Sequence, residues 1–417
     1  MQTPTFIKVL KLITFTFLAV AVLALGYYLK LKGVIISAVI IFAAVLIGYG
    51  AEVLELVLPS GVALAIVALL QISPEFFVEW ATVKKAAFDP AFLHNAMANL
   101  YGANKLLVGF GPPLVFFVYY FFSPTKKENY IKFHAIKSYS VFVMIFGIAY
   151  NFIIYLKNSL MWYDSIVLIA IYFGSVFFIG RMELHYSKLK PSAQEDGPEL
   201  EDSAVEKLIH KFVIVGEKVN AYRAYIASFI FLATGGALLV GFAEEFLECL
   251  LHAATAAGVS TFIFIGYVAP FMSEFPEKLV AIGYAMKGHA DTAMVNFLSS
   301  ILAQLTLLTA MVPLAYSYYK GTPTGIVFDA VQSQELLLVI AMMLYSLMLF
   351  LDLKFTIRET IMALGLFIWQ FVMPESRDTV TKVYFVLFLS YFLEMVLEKR
   401  HTDVIETVIK PKDICRD

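Results

Sequence analysis

Apolar residues in this chain neither alternate nor keep to one helical face; they continue for about 20 residues at a time, the length a helix needs to cross the hydrocarbon of a bilayer. Such runs fall at 7–30, 33–57, 61–84, 92–122, 134–156, 163–181, 222–251, 258–286, 292–318, 335–353, 357–373 and 380–398. The pattern predicts an all-α polytopic membrane protein of about 12 transmembrane helices. Runs 92–122 and 222–251 are long enough to be tilted or broken. The first run is too long for a secretory signal peptide and lacks a small-residue cleavage site, so it reads as a span.

One long polar segment, "SKLKPSAQEDGPELEDSAVEKLIHK", interrupts the apolar mass and divides it into nearly equal parts. The expected organisation is a first transmembrane half at 1–186, a solvated cytoplasmic linker at 187–220, and a second half with a cytoplasmic tail at 221–417. With twelve crossings, both termini share one side with every even connection. That side takes most of the 31 lysines and arginines, which makes it cytoplasmic, in the cell membrane.

Composition narrows the classes further. Of 417 residues, 60% are hydrophobic and 15% charged, with a net charge of −2, where a soluble domain carries roughly 25% charged residues. No basic patch points to nucleic acid. The two cysteines, Cys249 and Cys415, suggest neither a disulfide nor a metal site. His94, His252 and His289 show no metalloenzyme spacing, and no cofactor is expected.

Equal halves invite a search for internal similarity. "SPEFFVEWATVKKAAFD" at 73–89 aligns with "FPEKLVAIGYAMKGHAD" at 275–291. Pro74 matches Pro276, Glu75 matches Glu277, Lys85 matches Lys287 and Asp89 matches Asp291. After a one-residue insertion, Asn95 matches Asn296 and Pro112 matches Pro313. The two repeats, about 61–118 and 258–318, begin at the third and eighth runs. An odd separation makes them inverted in the membrane.

Inverted repeats whose helices carry proline beside a carboxylate at mid-membrane point to the binding site of a secondary transporter. Pro74 and Pro276 each remove a backbone donor and free carbonyls of residues such as Leu70, Gln71, Met272 and Ser273. Glu75 and Glu277 add formal charge beside those breaks. Carboxylate, carbonyl, hydroxyl and amide oxygens, about six to eight together, are what a hard cation such as Ca²⁺ requires. Two such half-sites meeting at the midplane make one cage.

These residues resemble the calcium/cation antiporter superfamily, the sodium/calcium and proton/calcium exchangers. Its repeats read approximately G-T-S-x-P-E, then K-G-x-x-D, then G-N-x-x-G-S-N-x-x-N. The second half, "MSEFPEKLVAIGYAMKGHADTAMVNFLSSILAQ", keeps Pro-Glu, Lys-Gly-x-x-Asp, Asn296 and Ser300, and "AAGVSTFIFIGYVAPF" is similar to the entry to the repeat helix. The first half keeps Pro74, Glu75, Asp89 and Asn95. The resemblance implies Glu75 and Glu277 as central cation ligands, with Gln71 and Ser273 at the threonine positions. Asn99 and Ser300 fall at the serine positions, and Ala103 and Gln304 at the outer amide or acid positions. A shifted first-half register places Asn99, Gly102 or Asn104 differently. The second and seventh runs become the gate helices. "LQI" and "MSE" replace Gly-Thr-Ser, Glu274 stands where the family has serine, and Gln304 is neutral where sodium/calcium exchangers often carry an acid.

A buried ionisable group in a membrane costs several kcal/mol and marks function by default. Glu79, one turn after Glu75, and Glu274, three before Glu277, either join the cage, hold a proton, or keep an access path polar. Lys105 either snorkels or pairs permanently with a carboxylate, or is a tethered cation that pairs with Glu75 or Glu79 until substrate displaces it. Glu52, Glu55, Glu244, Glu245 and Glu248 read as interfacial groups or as the lining of two access vestibules. The expected function is antiport of a divalent cation, Ca²⁺ first, against Na⁺ or H⁺. The partners are inorganic cations and the bilayer, without enzymatic chemistry. A membrane-embedded carboxylate hydrolase and a passive cation channel are the rival classes.

Overall fold

A computed structural model describes residues 32–51, 53–54, 56–57, 69–70, 72–124, 128–133, 138–189, 212–215 and 218–397. The first apolar run, Gln71, Glu52, Glu55, most of the linker and the tail lie outside the described residues. The rest is helical: α1 (Lys32–Ala51), α2 (Ser73–Phe88), α3 (Leu93–Gly109), α4 (Gly111–Phe122), α5 (Ser138–Leu156), α6 (Trp162–Leu189) and α7 (Ala221–Ala257), followed by α8 (Thr261–Ser273), α9 (Phe275–Lys287), α10 (Ala290–Ala303), α11 (Thr309–Lys320), α12 (Ala330–Phe350), α13 (Ile357–Val372) and α14 (Arg377–Leu397). Eight described stretches are long and apolar enough to cross a membrane.

The run 258–286 is two helices rather than one. α8 and α9, 13 residues each, reach only about 20 Å apiece and span together through a break at Glu274. In the other repeat, helix at Leu69–Leu70 stops before α2 begins at Ser73. In both, proline occupies the second position of the new helix, where its missing N–H is harmless. The carbonyl that Pro74 leaves without a donor is not free, because Ser73 Oγ donates to Leu70 O at 2.7 Å.

The repeats end their broken helices differently. α9 stops at Gly288, whose φ of 98° favours glycine. α2 stops at Asp89 in extended conformation, whose carboxylate accepts from Ala91 N. Further on, α3 and α4 meet at Phe110 before Pro112 and Pro113, whereas α10 and α11 join through a π-turn at Gln304–Leu308.

Three short antiparallel ribbons cap the helices. β1 (Tyr130–Lys132) pairs β6 (Lys354–Thr356), β2 (Ser159–Met161) pairs β5 (Gly325–Val327), and β3 (Ile214–Val215) pairs β4 (Lys218–Val219). The first two tie loops of opposite halves, so an even number of crossings must separate each pair. Counting α8–α9 and α10–α11 as one crossing each satisfies both, in agreement with the inverted arrangement.

α1 and α7 share a core apart from the main one, in which Ile36, Ile40, Ala43 and Ile47 pack with Leu239, Phe246 and Leu250. Ser228 Oγ donates to Gly50 O at 2.7 Å. α1 and α7 correspond to the second and seventh runs, and their core includes Val78, Ala269 and Met272 of the helices that carry the site.

α3 and α8 cross at glycine. A Cβ on Gly102 would lie 1.5 Å from the carbonyl oxygen of Gly266, an oxygen whose helical donor is missing because residue 270 is proline. Gly102→Ala must force the crossing apart, at a cost of about 1–3 kcal/mol or more. Gly236, with open space around it, tolerates alanine. Thermal melts in detergent check this: a lowered transition for Gly102→Ala beside an unchanged one for Gly236→Ala is expected.

Candidate ion-binding site

The broken helices bring four carboxylates into the protein interior. Glu75 and Glu79 point from the first turns of α2, Glu274 sits at the α8–α9 junction, and Glu277 lies in the first turn of α9. Glu75, Glu79 and Glu274 are 2%, 0% and 4% exposed, beyond the reach of bulk water. Each therefore needs donors or cations from the protein.

Asn99 on α3 serves the first pair: its Nδ2 donates to Glu75 Oε1 at 3.0 Å and to Glu79 Oε2 at 2.5 Å. Of the residues that a shifted register would use instead, Asn104 turns back to Leu100 O at 2.9 Å and Gly102 lies at the crossing with Gly266. Ser273, at the end of α8, donates to Glu75 Oε2 and so joins the two repeats.

On the second half, Lys278 Nζ lies 2.5 Å from Glu274 Oε2. Gln304, aimed by the π-turn that opens at that residue, donates to Glu274 Oε1. A π-turn widens the backbone by one residue and is frequent at functional sites. Ser300 on α10 interacts with Glu277. Glu274 and Lys278 act electrostatically on both Glu75 and Glu277, so the carboxylates form one cluster.

Four buried oxygens here lack a hydrogen-bond partner: Glu79 Oε1, Asn99 Oδ1, Glu277 Oε1 and Gln304 Oε1. All are acceptors, the atom type that a hard cation satisfies. Among the described residues, no three of His, Cys, Asp and Glu are grouped to hold a metal ion. The reason is local, since Asn99, Ser273, Lys278 and Gln304 engage the carboxylates that would otherwise converge.

Of the expected residues, Glu75, Glu277, Ser273, Asn99, Ser300, Gln304, Glu274 and Glu79 belong to this region, with Pro74 and Pro276 at the breaks. Gln71 is outside the described residues. Lys105 does not pair with Glu75 or Glu79. Its Nζ lies 2.6 Å from Glu335 Oε2 on α12, whose other oxygen is 2.6 Å from Arg377 Nε at the start of α14. Lys105 also stacks on Tyr267 of α8 at 4.9 Å. Glu244 pairs with Lys84 at 2.5 Å and Glu245 with Lys32 at 3.2 Å, all on solvated surface.

Lys278, Glu335 and Arg377 carry charge that the sequence reading did not use. Lys278 was open to it, because Glu274 and Lys278 at i and i+4 inside one apolar run is a pairing signature. Glu335 lies 230 positions from Lys105 and offers no local signal.

Because Glu335 holds Lys105 outside the carboxylate cluster, Lys105→Met should act on stability alone. Removing one member of a buried ion pair costs about 3–5 kcal/mol, lessened here by Arg377. A clearly lowered melt with an unchanged pH profile of transport is the expected outcome. Asn99→Ala, by contrast, strips the amide from both Glu75 and Glu79 at about 1–3 kcal/mol for each unsatisfied group, and flux measurements should show transport lost.

Comparison with known proteins follows the same lines. The sodium/calcium exchanger protein family matches residues 29–180 and 227–373, more than half of the chain. The crystal structure of the H⁺/Ca²⁺ exchanger CAX superposes with a TM-score of 0.79 at 25% identity, over 97% of this chain and 98% of that one. Native YfkE is similar at TM-score 0.54 and 16% identity, over 85% and 92% of the two chains. The sodium-calcium exchanger NCX_Mj, soaked with 2.5 mM Na⁺ and 0.1 mM Ca²⁺, gives 0.51 and 16% over 82% and 98%, a likeness of fold. No curated protein sequence matches.

Proposed function

This chain belongs to the sodium/calcium exchanger protein family, and from that premise we propose that it exchanges Ca²⁺ for H⁺ across the cell membrane by alternating access, with both termini cytoplasmic. It is a transporter, as its matched relatives are, and not an enzyme. The observation that carries the cation reading is the set of four buried, unpartnered acceptor oxygens beside Glu75 and Glu277. Such atoms are costly when empty and favourable when a hard cation binds.

In this reading Glu75 and Glu277 hold Ca²⁺, Ser273, Asn99 and Ser300 contribute neutral oxygens as they turn from carboxylate to ion, and Gln304 offers its unpartnered Oε1 while its Nε2 stays on Glu274. Cluster charge supports protons as the counter-ion. Four carboxylates face one ammonium, and an ion-free site cannot cross the bilayer with that excess uncompensated. Protons on Glu75 and Glu277, with Glu79 also protonated, remove it without a second cage. Glu79, bound to Asn99, is the adjoining acid that passes a proton to Glu75.

The likeness to an H⁺/Ca²⁺ exchanger over nearly the whole of both chains favours H⁺ over Na⁺. So does the replacement of hydroxyls by "LQI" in the first repeat, which removes ligands of the kind Na⁺ uses. α1 and α7, packed on one another and against both broken helices, move together to open the site to one side at a time.

Purified chain in proteoliposomes tests the proposal with separately imposed gradients. A pH gradient, inside acid, should drive Ca²⁺ uptake, an outward Na⁺ gradient should not, and Glu277→Gln should abolish uptake. Uptake driven by Na⁺ alone, or normal uptake by Glu277→Gln, would contradict it.

A further inference from the structure

The second repeat contains a cation of its own. Glu274 and Lys278 are 4% and 2% exposed, their charged atoms are 2.5 Å apart, and both groups act electrostatically on Glu75 and Glu277. The matching positions of the first repeat, Ile72 and Phe76, are apolar. Acid and base thus occur together in one repeat and not the other, one helical turn apart, and compensate each other.

Lys278 is also held in place. The side chain of Phe271, one α8 turn before Glu274, lies under the ammonium, 5.6 Å from ring centre to Nζ, and Gln304 occupies the second oxygen of Glu274. Both carboxylate oxygens of Glu274 thus have donors. Glu277, its neighbour three residues on, keeps Oε1 without one. Glu274 is thus met by a charge within the protein, whereas Glu75 and Glu277 are met by the neutral groups of Asn99, Ser273 and Ser300.

We propose that Lys278 is a resident cation of the binding cluster, which reserves Glu274 from the transported ion and, with Glu79 holding a proton, leaves Glu75 and Glu277 as the two charges offered to Ca²⁺. The proposal rests on the Ca²⁺ reading above. Its consequence is selectivity by charge count. A site of two free carboxylates matches one divalent ion, while a third would hold it too tightly to release. Lys278 is a positioning residue: it acts through Glu274 and does not touch the ion.

Equilibrium binding of ⁴⁵Ca²⁺ to the purified full-length chain in detergent tests this. Lys278→Gln frees Glu274 beside the ion and should bind Ca²⁺ about tenfold more tightly, while Glu274→Gln leaves an unpaired ammonium and should bind about tenfold more weakly. The double variant removes both charges and should return to within about threefold of the wild type. A merely structural pair would weaken binding in all three.

A Lys278→Gln chain that folds and binds Ca²⁺ no more tightly than the wild type overturns the role of Lys278. If either single variant does not fold, the double variant decides: binding well below wild type makes Glu274 a ligand and overturns the proposal. A wild type that binds no Ca²⁺ overturns the functional reading itself, and with it this one.

Discussion

A carboxylate removed from water in the middle of a bilayer must find positive charge, donors or a proton. Four of them in one place cannot be left to solvent, and the surrounding architecture answers that constraint. Asn99 bridges Glu75 and Glu79, Ser273 reaches from one repeat to the glutamate of the other, and Gln304 and Lys278 close on Glu274. Those donors are also what an entering cation must displace, so the same contacts that make the protein stable set the terms of binding.

Backbone geometry follows from the need to place those side chains. Proline at the second position of α2 and α9 lets a helix begin inside the membrane without an orphaned donor, and the glutamate after it falls in the first turn, where the helix N-terminus favours negative charge. The bare contact of Gly102 with the Gly266 carbonyl brings α3 and α8 close enough for Asn99 and Ser273 to reach one carboxylate. Away from the site, Lys105, Glu335 and Arg377 bind α3, α12 and α14 into a frame. α1 and α7 keep a separate core, which packs on the broken helices at Val78, Ala269 and Met272.

Much of this was legible in the chain. Long apolar runs announced the spans, and the paired Pro-Glu announced both breaks, because proline's missing donor acts locally and is visible at one position. The break within 258–286 fell at Glu274 as the carboxylate and proline suggested. Legibility failed where the cause was distant. Nothing around Lys105 tells it to choose Glu335 over Glu75, since that choice is made by the crossing of helices far apart in sequence. The π-turn at Gln304 is equally silent, and it decides whether that amide faces Glu274 or lipid. Composition likewise counts oxygens but not the donors that already hold them.

If Ca²⁺ and protons occupy the same two carboxylates in turn, Ca²⁺ binding must release protons, and their number is the most direct measurement. Calorimetric titration of the purified chain in buffers of different ionisation enthalpy counts them. Release of about two protons per Ca²⁺, lost in Glu75→Gln and Glu277→Gln, is the predicted result. Tight Ca²⁺ binding with no proton released would contradict the account.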